Sequence, residues 1–281
     1  MPSLRFLEAK TKTMHTVVIG IFSIALYLIA TALLAVRLRN RITTTASKWK
    51  GLAPAAIACI LHGWVLVPHI FTSKGLNLGI FHSISLITWI ISTILILLAA
   101  RRPAENLGII VFPGTALAVA LEVSFNTTRI TDIINTPLEI HILISVAAYS
   151  VLSIAAVQAV LLTVHDHYLR NKRPGGFIRA LPPLQSMETL LFQMIALGFI
   201  LQTISLVTGF TFLENMLAQH LVHKTVLSLI AWMVFAILLW GRWKFGWRGR
   251  TAIRWTLSGF AVLALGYLGS KMVLELIIGR S

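Results

Sequence analysis

The chain of 281 residues has one cysteine, few charged residues and very few acidic ones. Because Cys59 is alone, an intrachain disulfide and any cysteine-based metal or redox motif are excluded. Charged residues make up 12% of the chain and only nine residues are Asp or Glu, whereas soluble domains carry roughly 25% charged residues. The scarcity of charge excludes an ordinary soluble domain. The lone thiol lies in an apolar run, where a packing role is expected.

Long apolar stretches account for most of the chain. It is 57% hydrophobic with a mean hydropathy of +0.85, and a bilayer core about 30 Å thick needs roughly 20 helical residues to cross it. The first run is longer than the roughly 7–15 residues of a signal peptide, so a retained helix is expected. The pattern predicts an all-α polytopic membrane bundle, a single transmembrane domain over residues 1–281. The predicted spans are Thr16–Val36, Leu52–Phe71, Asn77–Ala100, Leu107–Phe125, Pro137–Val164, Glu188–Leu213, Lys224–Gly241 and Ala252–Leu276.

The basic residues predict the orientation of these spans. The net charge of +15 suggests nucleic acid at first sight, but in a membrane protein excess Lys and Arg mark cytoplasmic loops. Sixteen basic residues fall in the first, third, fifth and seventh loops, and seven fall in the tails and even loops. The richer side is therefore predicted to be cytoplasmic and both termini to lie outside, with no nucleic-acid partner.

Motifs for catalysis are missing from the sequence. No nucleophile stands at a readable spacing from a base and an orienting group, and no glycine-rich phosphate loop follows a strand. Pro68 and Pro113 interrupt two predicted helices, but the paired broken helices of a secondary transporter are not apparent. The chain is not expected to be an enzyme.

Ionisable residues at membrane depth are costly and are therefore candidate functional groups. His62 and His69 lie seven residues apart, roughly 10 Å along one helix, which is too far for one metal ion, so hydrogen bonds within the core are the expected role. His82 is expected near the outer end of the third helix. Glu122, close to the outer end of the fourth, is expected to reach water. Two further expectations are that His165 and His167 are solvated at the cytoplasmic end of the fifth helix, and that Lys271 pairs with Glu275.

The fifth helix carries a polar face at its outer end. His141, Ser145 and Tyr149 are spaced four apart and so share one side of the helix, which is unlike a surface that faces lipid. The next outer loop adds Glu214, His220 and His223. Neutral imidazole is a good axial ligand for haem iron, so histidines that face the interior of a bundle are consistent with a haem site, with the propionates at the wet outer side.

The second half of the chain resembles a known family. Met187-Glu188, Leu197-Gly198-Phe199, Gly209, Lys224-Thr225, Leu229-Ile230-Ala231-Trp232, Gly246-Trp247-Arg248-Gly249 and Gly266-Tyr267-Leu268-Gly269 follow the His141 helix in order. This order, over about residues 80–275, resembles the integral membrane cytochrome c assembly family of haem-handling proteins. The similarity looks greatest to a short eight-helix branch of bacterial inner-membrane proteins that lacks the family's tryptophan-rich motif.

The resemblance implies haem binding or haem handling at the outer face of the inner membrane, with haem b as the cofactor. It carries over His141 as an axial ligand of the haem iron. His223, His82 or His69 is then the expected partner ligand, and Arg129 the expected partner of a propionate. The lipid bilayer and haem are the implied partners.

A second hypothesis rests on where the chain departs from the family. No tryptophan occurs from Phe210 to Lys224, where the family's tryptophan-rich segment is found, and Trp240 stands where maturation proteins have a histidine. These departures favour a non-catalytic accessory subunit of another membrane protein, such as a divalent-cation efflux system. Bound haem would distinguish the first hypothesis, and a stable protein partner the second.

Overall fold

The computed structural model describes residues 2–40, 44–72, 75–125, 130–131, 136–171, 181–212 and 219–269. Side chains are described from residue 14 onward within these ranges, except at 130, 131, 136, 137, 212, 219–221 and 223. The predicted pair Lys271 and Glu275 lies outside the described residues. The chain divides into two compact units, unit 1 (Met1–Asp132) and unit 2 (Ile133–Ser281).

The eight predicted membrane helices are confirmed. In the described residues eight helices are long and apolar enough to span a membrane, because each predicted apolar run forms one. The helices are α1 Pro2–Arg39, α2 Thr45–Ile70, α3 Ile80–Arg101, α4 Gly108–Ser124, α5 Thr136–Arg170, α6 Leu184–Phe212, α7 Gln219–Phe245 and α8 Arg250–Ala264. A 3₁₀ turn, Glu105–Leu107, precedes α4, and a π turn, Leu265–Gly269, follows α8.

Unit 1 is built from α1 to α4. Helix α1 packs on α2 and α4, and α3 packs on the same two helices. Tyr27 and Phe112 are fully buried where α1 meets α4, with ring centroids 5.8 Å apart. Pro68 and Pro113 lie inside continuous helices. They leave both helices unbroken.

A small antiparallel sheet, which the sequence did not predict, lies at one end of unit 1. Strand β1, Phe71–Thr72, pairs with β2, Gly75–Asn77, and β2 pairs in turn with β3, Ile130–Thr131. Gly75 has a φ of 129°, which favours glycine. The sheet joins the connection that follows α2 to the segment that follows α4, so it ties together the ends of helices that are distant in sequence.

Unit 2 is built from α5 to α8. Helix α5 packs on α6 and α8, and α7 packs on α6 and α8. Gly198 lies where α6 meets α5, and a Cβ atom added there would lie 2.6 Å from the side chain of Leu152. The glycine of the Leu197-Gly198-Phe199 sequence is therefore needed for the close approach of these two helices.

Candidate functional site

The predicted polar face of α5 is confirmed within unit 2. His141 is half-buried, and its Nδ1 lies 3.1 Å from the hydroxyl oxygen of Thr208 on α6. One turn further, the hydroxyls of Ser145 and Ser205 are 2.6 Å apart. Tyr149, another turn along, is buried between Phe260 and Tyr267, with ring centroids 5.6 Å from each. All three side chains of the face therefore contact other helices of unit 2.

The hydrogen bonds of Thr208 favour one tautomer of His141. The Thr208 hydroxyl donates to backbone carbonyls of its own helix, those of Ile204 at 2.9 Å and Ser205 at 3.0 Å. Its oxygen is then available to accept a hydrogen bond from the Nδ1–H of His141. In this tautomer Nε2 keeps the lone pair, which is the form of histidine that binds a metal.

A second group of histidines comes together within unit 1. His69 near the end of α2, His82 in the first turn of α3 and Glu122 in the last turn of α4 form what we call the His–Glu cluster. One candidate ligand atom from each residue lies within 4.8 Å of the other two. His69 Nδ1 is 3.4 Å from Glu122 Oε1, and the rings of His69 and His82 are nearly perpendicular with centroids 5.7 Å apart.

A chain of hydrogen bonds leads to the carboxylate of this cluster. The Tyr27 hydroxyl lies 3.5 Å from His62 Nδ1, and His62 Nε2 lies 2.7 Å from the Ser85 hydroxyl. Because Ser85 donates its proton to Glu122 Oε2, its oxygen accepts from His62 Nε2–H, and Nδ1 is then the acceptor for the Tyr27 hydroxyl. His62 Nε2 itself lies 3.9 Å from Glu122 Oε2. Each donor in the chain therefore points towards Glu122, and the expectation that His62 and His69 make hydrogen bonds is confirmed.

Two expectations about exposure are wrong. Glu122 is 4% exposed, because the last turn of α4 presents this residue to α2 and α3. His165 is 5% exposed, with Nδ1 3.4 Å from the sulfur of Met187, because α6 covers that face of α5. His167 is exposed as predicted. Cys59 is buried as predicted, with its sulfur 3.1 Å from the Thr93 hydroxyl.

The remaining predicted site residues are not described in full. Arg129 and Glu214 lie outside the described residues, and so do the side chains of His220 and His223, whose backbone belongs to the first turns of α7. The roles predicted for Arg129 and His223 therefore stay predictions. His69 and His82 are brought together with Glu122. The sequence predicted that His82 and Glu122 lie near the outer ends of their helices, but it did not reveal which helix faces meet.

Comparison with known proteins identifies the family. The family described as Cytochrome C assembly protein matches residues 49–278. The inner membrane protein YpjD of Escherichia coli (strain K12) is 34% identical over 234 residues, which cover 82% of this chain and 89% of YpjD. The cytochrome c biogenesis protein CcsA of Prochlorococcus marinus (strain MIT 9515) is 22% identical over 242 residues, 75% of each chain.

A further relative is similar over about half of the chain. Protein HemX of Brevibacillus brevis is 22% identical over 131 residues, which cover 46% of this chain and 48% of HemX. No solved structure matches the chain. The family match spans most of the chain and agrees with the eight apolar helices. The chain therefore belongs to the cytochrome c assembly protein family.

Proposed function

We propose that this chain is a multi-pass inner-membrane protein that binds or handles haem, with His141 as an axial ligand of the iron. The single observation that carries the proposal is the hydrogen bond between His141 Nδ1 and Thr208. It orients the imidazole and leaves Nε2 for iron. Names of relatives support the same role, since CcsA is a cytochrome c biogenesis protein and YpjD an inner membrane protein.

The donor set around His141 fits a haem ligand. The described groups that hydrogen-bond its ring or backbone are the hydroxyls of Thr208 and Ser145 and the backbone of Ser205, and none of them carries a charge. Hydroxyl groups leave the imidazole neutral, as iron ligation requires, and a held ring nitrogen fixes the direction of the other. Bound haem would supply a redox-active iron centre and a flat apolar macrocycle.

We propose that the haem site lies on the outer side of the membrane. The basic residues favour a cytoplasmic position for the loops that follow α1, α3, α5 and α7, which places the start of α5, and thus His141, on the opposite side. His223, near the start of α7 in the same unit, is the proposed second ligand. Arg129 is the proposed partner of a haem propionate. A binding role of this kind needs no catalytic group, so we propose a non-enzymatic function.

Visible spectroscopy tests the proposal. The full chain would be purified in mild detergent, supplied with haem b, and measured oxidised and reduced as wild type, His141→Ala and His167→Ala. His167 is a matched control because it is an exposed histidine on the same helix. We expect a reducible Soret band in the wild type and in His167→Ala, and its loss in His141→Ala.

Two outcomes would overturn the haem proposal. One is a wild-type protein that stays colourless after haem is supplied. The other is a Soret band that His141→Ala leaves unchanged, which would exclude His141 as the ligand. A colourless protein that co-purifies with another membrane protein would support the alternative of an accessory subunit, for example of a divalent-cation efflux system.

A further inference from the structure

We propose that His69, His82 and Glu122 form a binding site for a divalent first-row transition-metal ion such as Zn²⁺. The site is built within unit 1 and does not depend on the proposed haem function. Two imidazoles and one carboxylate, each from a different helix, meet at one end of this unit.

The distances in the His–Glu cluster suit one metal ion. Zn²⁺ binds histidine nitrogen and carboxylate oxygen at about 2.0–2.2 Å, so its ligand atoms lie roughly 3–4 Å from one another. The three candidate atoms are all within 4.8 Å of one another. Side-chain rotations that bring these atoms closer together would close the site around an ion.

The charge of Glu122 favours a cation at this place. An ionised carboxylate away from water is costly unless it is paired or coordinates a metal. Glu122 is buried, and within the part of the chain that the structure describes, its ion-pair and hydrogen-bond partners are histidines and Ser85. A dication bound between Glu122 and the two imidazoles would compensate an ionised carboxylate directly.

The supporting hydrogen bonds orient the carboxylate as a ligand. Ser85 holds Oε2 of Glu122, His62 contacts Ser85, and Tyr27 contacts His62. Oxygen Oε1 faces His69. Metal-binding carboxylates are regularly held by such outer partners, which keep a ligand atom in place before the ion arrives.

The donor set selects the class of ion. Imidazole suits zinc, iron, copper and nickel, whereas Mg²⁺ and Ca²⁺ take oxygen ligands in larger number. Three protein ligands also leave a fourth position of a tetrahedral ion open for water or another ligand. The side chain of His69 is 39% exposed, whereas His82 and Glu122 are buried.

Cobalt spectroscopy tests the site. Metal-free full-length protein in mild detergent, without haem, would be titrated with Co²⁺, whose visible absorption reports coordination, and then with Zn²⁺ as a competitor. We expect one Co²⁺ per chain, displaced by Zn²⁺ and unaffected by a large excess of Mg²⁺.

Two ligand variants and one control variant test whether the bound Co²⁺ lies in the His–Glu cluster. His69→Ala removes the more exposed ligand, and Glu122→Gln keeps an acceptor for the Ser85 hydroxyl while it removes the charge. Loss of a group that only supports a ligand lowers metal affinity by about 10- to 100-fold, so loss of a ligand is expected to exceed that range in either variant. His167→Ala, which removes an exposed histidine of unit 2, is expected to bind Co²⁺ as the wild type does.

The proposal would be overturned by a wild type that takes up no Co²⁺ stoichiometrically, or by ligand variants that bind as the wild type does. Haem titration of the same variants distinguishes a further outcome. If His69→Ala and Glu122→Gln lose haem but keep Co²⁺, the cluster serves haem and the metal-ion proposal fails. Loss of the Soret band in His141→Ala alone would leave the metal proposal standing, so the two proposals fail separately.

Discussion

The two ends of α4 each bury a glutamate, and the two glutamates have different partners. Glu105, in the turn before α4, is 3.2 Å from the guanidinium of Arg37. Glu122, in the last turn, has histidines and a serine around it. A carboxylate paired with a permanent cation is neutralised within the protein, whereas one surrounded by imidazoles still has room for a cation. Glu105 therefore belongs to a structural ion pair and Glu122 to a candidate site, although both residues are nearly inaccessible.

The largest effect is expected where the structural pair is broken. Arg37→Ala leaves Glu105 buried without its cation, and removal of one partner of a buried pair costs about 3–5 kcal/mol. We therefore expect a clear drop in the thermal unfolding midpoint in detergent. Arg39→Ala, an exposed arginine on the same helix, is the control and is expected to leave the midpoint unchanged. Equal midpoints for the two variants would contradict a structural role for the pair.

At the other end of α4, the Glu122→Gln variant is expected to change stability only when metal is present. Glu122→Gln retains an acceptor for Ser85, so we expect little change in the stability of the metal-free protein. A ligand at 100 times its Kd stabilises a protein by about 2.7 kcal/mol, and Zn²⁺ at that level should stabilise the wild type but not the variant. Thermal unfolding with and without Zn²⁺ measures this. Equal stabilisation of both proteins would remove the distinction between the two glutamates.

A smaller effect is expected from the residue that holds the carboxylate. Ser85→Ala removes the hydrogen bond to Glu122 Oε2 but leaves the three proposed ligands. Loss of such a supporting group lowers metal affinity by about 10- to 100-fold, which Co²⁺ titration would measure. Ser83→Ala, which changes a buried serine on the same helix whose hydroxyl donates to the Leu78 carbonyl, is the matched control. An unchanged affinity in Ser85→Ala would mean that Glu122 needs no support.

The smallest effect is expected at His141 in unit 2, where hydroxyl groups rather than a carboxylate contact the histidine. Thr208→Val removes the acceptor for His141 Nδ1–H while it preserves side-chain shape. We expect haem affinity to fall by about 10-fold, the lower end of the range for a group that supports a ligand. Thr211 is an exposed threonine three residues further along α6. The Thr211→Val variant should therefore bind haem as the wild type does. Haem titration followed at the Soret band compares them.

Features within single helices were predictable from the sequence. The eight spans are confirmed because runs of about twenty apolar residues have no other stable arrangement in a bilayer. The shared face of His141, Ser145 and Tyr149 is confirmed because residues four apart in a helix lie on one side. Both inferences use only the geometry of one helix.

Features formed between helices were not predictable in the same way. Glu122 was expected to reach water because it lies near a helix end, but depth along an axis does not determine which face meets a neighbour. The His–Glu cluster depends on the rotation of α2, α3 and α4, which spacing along each helix does not reveal. Strands of two or three residues, such as β1 and β3, are too short to produce a sequence pattern.

The hydrogen-bond chain from Tyr27 to Glu122 also constrains how unit 1 can assemble. Its four members come one from each of α1, α2, α3 and α4. A slip of one helix by one turn moves its side chains about 5.4 Å along the axis, twice the 2.7 Å that separates His62 from Ser85. Apolar side chains tolerate such a slip far better than buried polar groups, which would lose their partners. The hydrogen-bond chain thus favours one axial alignment of the four helices. Their apolar surfaces alone would allow several alignments.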